Sequence, residues 1–180
     1  MRPVPARVSV APPGASLMAS LSDNSVQELL RGRYIASLAT QNGDGSIHMV
    51  AVWCLHEDGH FYIATSSRSR KARNLQSSPT ASLMIDSRDP DASHGVTIAG
   101  TARILIGEPA RQWNERIHRK YLSEAALADA RIGPVLASWD DVTIEITPVS
   151  VFAWDMREAD RQVFGGALKS NPGYLLPLKP

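Results

Sequence analysis

The sequence holds a single cysteine, Cys54, among 180 residues. An intrachain disulfide is therefore excluded, and no cysteine and histidine cluster has the ligand spacing of a structural zinc site, which points to a reducing compartment. Neither sign of charge is in excess: 19 Lys and Arg against 18 Asp and Glu leave a formal charge of +1. No global field attracts a polyanion, so nucleic acid is not an expected partner and any basic site is local. Long apolar runs are missing as well. Pro3, Pro5, Pro12 and Pro13 interrupt the segment after Arg2 and Arg7, and neither a signal peptide nor a membrane helix is expected there. The five histidines, His48, His56, His60, His94 and His118, show no H-E-x-x-H arrangement, so no metal site is expected. The absence of G-x-S-x-G, G-x-G-x-x-G and Walker sequences argues against a serine hydrolase, a Rossmann dehydrogenase and a nucleotide triphosphatase. These absences leave a soluble protein, read as cytoplasmic and as a single core-forming domain.

What is present is a succession of short strands and turns. Residues 1–22, rich in Pro, Ala and Ser, read as a flexible arm. A helix is expected from Asn24, with Val26, Leu29 and Leu30 on one face and Gly32 as its stop. Tyr34 to Thr40 and Ile47 to Leu55 read as a hairpin across the Asn42-Gly43-Asp44-Gly45 turn, and Glu57-Asp58-Gly59 leads into a third strand, Phe61 to Thr65. Ser69 is placed to cap a short helix. Further strands follow at Ala81 to Ile85 and Val96 to Ile106, separated by a loop through Asp89-Pro90-Asp91. Glu108-Pro109 opens a helix with Ala110, Trp113, Ile117 and Tyr121 as its apolar stripe. In the last strand Val142, Ile144 and Ile146 alternate against Thr143, Glu145 and Thr147, and it continues after Pro148 from Val149 to Trp154 to close the sheet. This pattern is mostly β with short helices, and it favours an antiparallel barrel over a doubly wound sheet. The domain is expected over residues 23–156. The tail, 157–180, reads as loop-like from Arg161 onward, with Tyr174, Leu175, Leu176 and Leu178 docking on a partner surface.

The strongest chemical signal is the run Ser66-Ser67-Arg68-Ser69-Arg70-Lys71-Ala72-Arg73-Asn74. Hydroxyls and cations around a helix start after a strand have the outline of a phosphate site, since free N–H groups, Ser oxygens and Arg or Lys all serve anions. A solvated basic loop has the same composition. Trp53 reads either as pocket lining or as barrel packing. Trp113 belongs to the helix stripe, and Trp154 reads as core or as a cover over a ligand from a second chain. Cys54 reads as a small buried hydrophobe on the face of Val50 and Val52.

Taken in order, Ile35-Ala36-Ser37-Leu38-Ala39-Thr40, the Asn42 to Gly45 turn, Val50-Ala51-Val52-Trp53, Ser69-Arg70-Lys71-Ala72-Arg73-Asn74-Leu75 with Pro79, and Gly100-Thr101-Ala102 resemble the pyridoxamine-phosphate-oxidase-like split-barrel superfamily. The resemblance spans about Val26 to Trp154. It implies an antiparallel split β-barrel of the FMN-binding type, a homodimer, and a cofactor in the cleft between two chains. Carried over by position, it assigns phosphate contacts to Thr65, Ser69, Arg70 and Lys71, a bracing role to Asn74, and ring contacts to the backbone of Val50, Ala51 and Val52, with Ser66 as a further cofactor-binding candidate. His48, at the start of that strand, is a candidate hydrogen-bonding residue. No catalytic acid or base is implied, because such a cofactor carries the hydride chemistry itself.

The sequence departs from the authentic oxidases. It has His48 and Trp53 where those enzymes carry basic residues, and their C-terminal substrate motif is absent, so pyridoxamine phosphate oxidation is not expected. The Lys-x-Arg-Asn-Leu run followed by proline is similar to the branch that uses the deazaflavin coenzyme F-420. That similarity implies an oxidoreductase passing hydride to an electron-poor small molecule. The alternatives are an FMN-dependent oxidoreductase and a non-catalytic carrier of flavin, deazaflavin or haem.

Overall fold

A computed structural model describes residues 19–89 and 93–176. The first helix is α1 (Asn24–Arg31), whose Val26, Leu29 and Leu30 are buried. Its terminal Gly32 has an ordinary negative φ of −70°. The glycine is required for space instead, since a Cβ there would lie 2.4 Å from the Tyr34 ring. The strands are β1 (Ala36–Gln41), β2 (Ile47–Val52), β3 (Leu55–Glu57), β4 (His60–Thr65), β5 (Thr80–Ser87), β6 (His94–Ile106) and β7 (Val142–Asp155). Helix α2 (Arg70–Ser77) lies between β4 and β5. Helices α3 (Glu108–Tyr121), α4 (Glu124–Ala128) and α5 (Gly133–Trp139) fill the connection from β6 to β7.

All pairings are antiparallel, and the seven strands form one sheet in the order β2-β1-β5-β6-β7-β4-β3. The two edge strands, β2 and β3, are consecutive in the chain and separated only by Trp53 and Cys54. The sheet must therefore curl until its edges meet at this dipeptide, which makes an open barrel with one seam. Leu38, Phe61, Ile63, Leu83, Ile98, Ile144 and Ile146 are fully buried and fill the interior. This is the antiparallel split barrel expected from the sequence.

Two local expectations change, and one is met with a local irregularity. The strand expected over Ile47 to Leu55 breaks at Trp53 and Cys54, so Cys54, though buried, lies outside the strand. The last strand runs unbroken as expected: β7 passes through Pro148, and the register jumps from Ala99–Ser150 to Gly100–Pro148, leaving Val149 as a bulge. Proline has no N–H for the ladder and is tolerated at such a bulge. Gly100 opposite is needed because a Cβ there would lie 2.5 Å from the Thr147 carbonyl oxygen. Finally, the tail expected as loop forms α6 (Met156–Val163) and α7 (Ala167–Ser170). The Asp155 side chain caps α6 by accepting from Arg157 N–H at 2.8 Å, and buried Asp160 accepts from the N–H groups of Leu168 and Lys169 at 2.9 and 3.2 Å. The expected arm up to Met18, the loop residues Pro90 and Asp91, and Leu178 lie outside the described residues.

Candidate functional site

The basic run forms a tight turn between β4 and α2. Ser69 is the N-cap of α2, its Oγ accepting from Ala72 N–H at 3.3 Å, and its own N–H donates to Ser66 O at 2.9 Å. The first intrahelical bond is Arg73 N–H to Ser69 O at 3.2 Å. The N–H groups of Arg70 and Lys71 precede it and form the open positive end of the helix. Buried Thr65 donates its hydroxyl to Ser69 Oγ at 3.2 Å, so Thr65 holds the cap in place. Ser67 donates through both N–H and Oγ to the Asp141 carboxylate, each at 2.6 Å, and these bonds hold that carboxyl below its usual range. Asn74 anchors α2 to the first hairpin through Nδ2, which donates to Thr40 Oγ1 at 3.0 Å and Asn42 Oδ1 at 2.9 Å.

Beside this turn, at the seam, opens a cleft of about 310 Å³ lined by Ile35, Ala51, Val52, Trp53, Ala64, Lys71 and Asp140. Lys71 enters it from the first turn of α2. Burial pushes its ammonium below the ordinary 10.5, and the Asp140 carboxylate opposes that shift. Asp140 accepts from His118 Nε2 at 2.8 Å, which fixes the proton on that nitrogen because a carboxylate only accepts. Asn114 Nδ2 donates to Asp140 O at 2.7 Å and secures the backbone there. Trp53 stacks on Tyr121 with ring centroids 5.1 Å apart and planes 3° from parallel, and the edge of His118 meets it at 6.4 Å. The cleft therefore pairs an apolar and aromatic wall with one desolvated cation, Lys71, and the Asp140 carboxylate that faces it. That donor set suits a planar ring carrying an anionic tail.

The sequence candidates divide accordingly. Ala51, Val52 and Lys71 line the cleft, whereas Ser66, Ser69 and Arg70 lie on the turn beside it, and Thr65 and Asn74 bond internally. Val50 and His48 are not among the lining residues. His48 pairs across from Thr40, the residue that receives the Asn74 amide. Asp140 and the His118 beneath it were not singled out by the sequence as site residues. They lie 22 positions apart, and no local motif links them. Trp113 stacks on Tyr62 at 3.6 Å under the Arg116 guanidinium, and Trp154 covers Gly95, where a Cβ would lie 2.5 Å from the indole. Among the described residues no group of His, Cys, Asp and Glu is arranged to hold a metal, and no helix is long and apolar enough to cross a membrane.

No curated protein sequence matches the chain. Solved structures do. A conserved hypothetical protein of Mycobacterium tuberculosis superposes with a TM-score of 0.64 at 23% identity, covering 78% of this chain and 88% of that one. A structure named F420 reductase gives 0.56 at 19% identity, with 69% and 94% covered. The haem storage protein HutZ of Vibrio cholerae gives 0.57 at 17%, with 74% and 94% covered. At such identities the likeness is one of fold. The family described as pyridoxamine 5'-phosphate oxidase matches residues 22–155, from just before α1 to the last residue of β7. With the seamed barrel and the turn before α2, that match makes this chain a member of the pyridoxamine 5'-phosphate oxidase family of split-barrel proteins.

Proposed function

We propose that this protein is a homodimeric oxidoreductase that holds the deazaflavin coenzyme F-420 in the seam cleft and passes its hydride to an electron-poor small molecule. The observation that carries the proposal is the placement of Lys71, a desolvated cation that lines the same cleft as Val52 and Trp53. A phosphate on the coenzyme's tail would meet Lys71, the first-turn N–H groups of α2 and the Arg70 side chain, while the ring lies along the backbone of Ala51 and Val52. When bound, the coenzyme supplies the hydride. This chain's residues orient the ring, neutralise the tail and exclude water. The fold neighbour named as an F420 reductase is consistent with this cofactor, and FMN has the same phosphate-plus-ring outline.

Two observations support the proposed second chain. The cleft volume of about 310 Å³ lies at the bottom of the range of about 300–1,000 Å³ for ligand pockets, so one chain encloses little of a tailed tricyclic ring. The outer face of the sheet is also unusually apolar. Ile47, Met49, Val149 and Phe152 are 63%, 67%, 76% and 38% exposed, and between Met49 and Ser150 the register places only Ala39, Ser82 and Ala99. A small-residue surface flanked by large apolar groups invites a second copy, which would also cover the β2 edge. The test is steady-state oxidation of reduced F-420 with a panel of enones, quinones and tetrapyrroles, alongside sedimentation of the protein. Saturable turnover by a dimer supports the proposal. Tight coenzyme binding without turnover favours a carrier, a role suggested by the neighbour named as a haem storage protein.

A further inference from the structure

The seam presents a problem of backbone chemistry. Trp53 and Cys54 belong to no strand, yet Cys54 is buried, so its N–H and C=O need partners from outside the sheet. Both come from the last turn of α3. Tyr121 Oη accepts from Cys54 N–H at 3.2 Å, and its one proton is shared between Tyr34 O at 2.9 Å and Cys54 O at 3.1 Å. Lys120 Nζ donates to Cys54 O at 2.9 Å and to Leu30 O at 3.1 Å. A single phenol hydroxyl thus ties together the residues that adjoin two lining groups of the cleft just beyond the Ala36–Val52 pair: Tyr34 precedes Ile35, and Cys54 follows Trp53. The ring of the same tyrosine lies parallel to the Trp53 indole.

We infer that Tyr121 is a positioning residue of the cleft, fixing the orientation of Trp53 and the spacing between Ile35 and Trp53, with Lys120 as its auxiliary. The helix is well suited to the task. Ala110 and Ile117 anchor it in the interior, so its last turn is a rigid support at the place where the ladder is interrupted. The inference rests on the proposed cofactor cleft for its functional consequence, and on the hydrogen bonds alone for its structural one.

Tyr121→Phe removes the hydroxyl and keeps the ring. The Trp53 signal is isolated as the difference between each protein and its Trp53→Phe counterpart, in near-ultraviolet circular dichroism and in acrylamide quenching of the ligand-free protein. Binding is measured with FMN and with F-420. Tyr121→Phe is expected to weaken the Trp53 dichroism, increase its quenching, and raise the dissociation constant of the tighter ligand by about three- to tenfold, the scale of one neutral hydrogen bond. Lys120→Met should move the same signals in the same direction by less. Ile98→Val, a buried change on β6 that does not line the cleft, should lower the melting temperature without moving any of them. Unchanged Trp53 signals in Tyr121→Phe overturn the inference. So do equal shifts in Ile98→Val, or altered Trp53 signals with unaltered affinity. If the parent protein binds neither ligand, the cofactor reading fails, while the Trp53 signals still decide whether Tyr121 orients the wall.

Discussion

Replacing Lys71 with Met separates binding from stability, because the two should move differently. In the free protein the Lys71 ammonium is partly desolvated and faces a single carboxylate, Asp140, which keeps His118 as a partner at 2.8 Å. Methionine has a similar reach and no charge to desolvate, and exchanging a buried charge for apolar volume is often neutral or stabilising. The unfolding free energy of Lys71→Met should therefore stay within about 1 kcal/mol of the parent value or rise. Ligand affinity should fall, since a charge-assisted contact is worth about 1.5–3 kcal/mol. That corresponds to roughly a 10- to 150-fold increase in Kd. Fluorescence titration with F-420 and with FMN reads the affinity, and urea denaturation reads the stability. Unchanged affinity would refute the placement of the phosphate at Lys71. A large loss of stability would refute the claim that this cation is held against its own solvation.

Three further outcomes follow from the same contacts. Asn74→Ala should lower stability by about 1–2 kcal/mol in denaturant unfolding, because two partners, Thr40 and Asn42, lose the amide that joins α2 to the first hairpin. Glu145 is buried, and its hydrogen bond from Arg103, against the opposing cost of burial, holds its carboxyl below the ordinary 4.5, with Tyr62 Oη donating as well at 3.2 Å. Its folded-state pKa is depressed, so its stabilisation is complete above pH 4.5 and is lost as pH falls through the lower folded value. Glu145→Gln should thus cost about 1–3 kcal/mol near neutral pH, with the deficit shrinking in acid. Burial pushes the Cys54 thiol up to about 12, so an aromatic disulfide reagent should leave it unmodified in the folded protein and react promptly after denaturation.

The sequence was most legible where local chemistry sets the structure. The Asn42 to Gly45 turn carries Gly45 at φ +84°, and Asp58 and Gly59 turn the next hairpin at +50° and +77°, the left-handed values such residues favour. Ser69 caps α2 as its position suggests. The end of β7 carries a local signal for the unexpected helix: Asp155-Met156-Arg157-Glu158 has the spacing of a capping box and starts α6. Other features have no local signal. The break at Trp53 and Cys54 exists because Tyr121 and Lys120, some 67 and 66 positions away, supply the bonds that a continuing strand would have made. Asp140 becomes a cleft residue only when α3 and α5 bring it over Lys71 and onto His118. Of the cleft residues, Ala51 and Val52 were candidates through the family's order of motifs, whereas Trp53 reads from sequence either as pocket lining or as barrel packing. The barrel seam that exposes them is a property of the whole sheet.

The most direct measurement is parallel equilibrium titration of the purified protein with F-420 and with FMN, followed by ligand and tryptophan fluorescence. Saturable binding of F-420 at micromolar or lower concentration, tighter than that of FMN and weakened by Lys71→Met, is the expected result. Tighter binding of FMN would transfer the cleft to the flavin, and binding of neither would contradict a cofactor site at the seam.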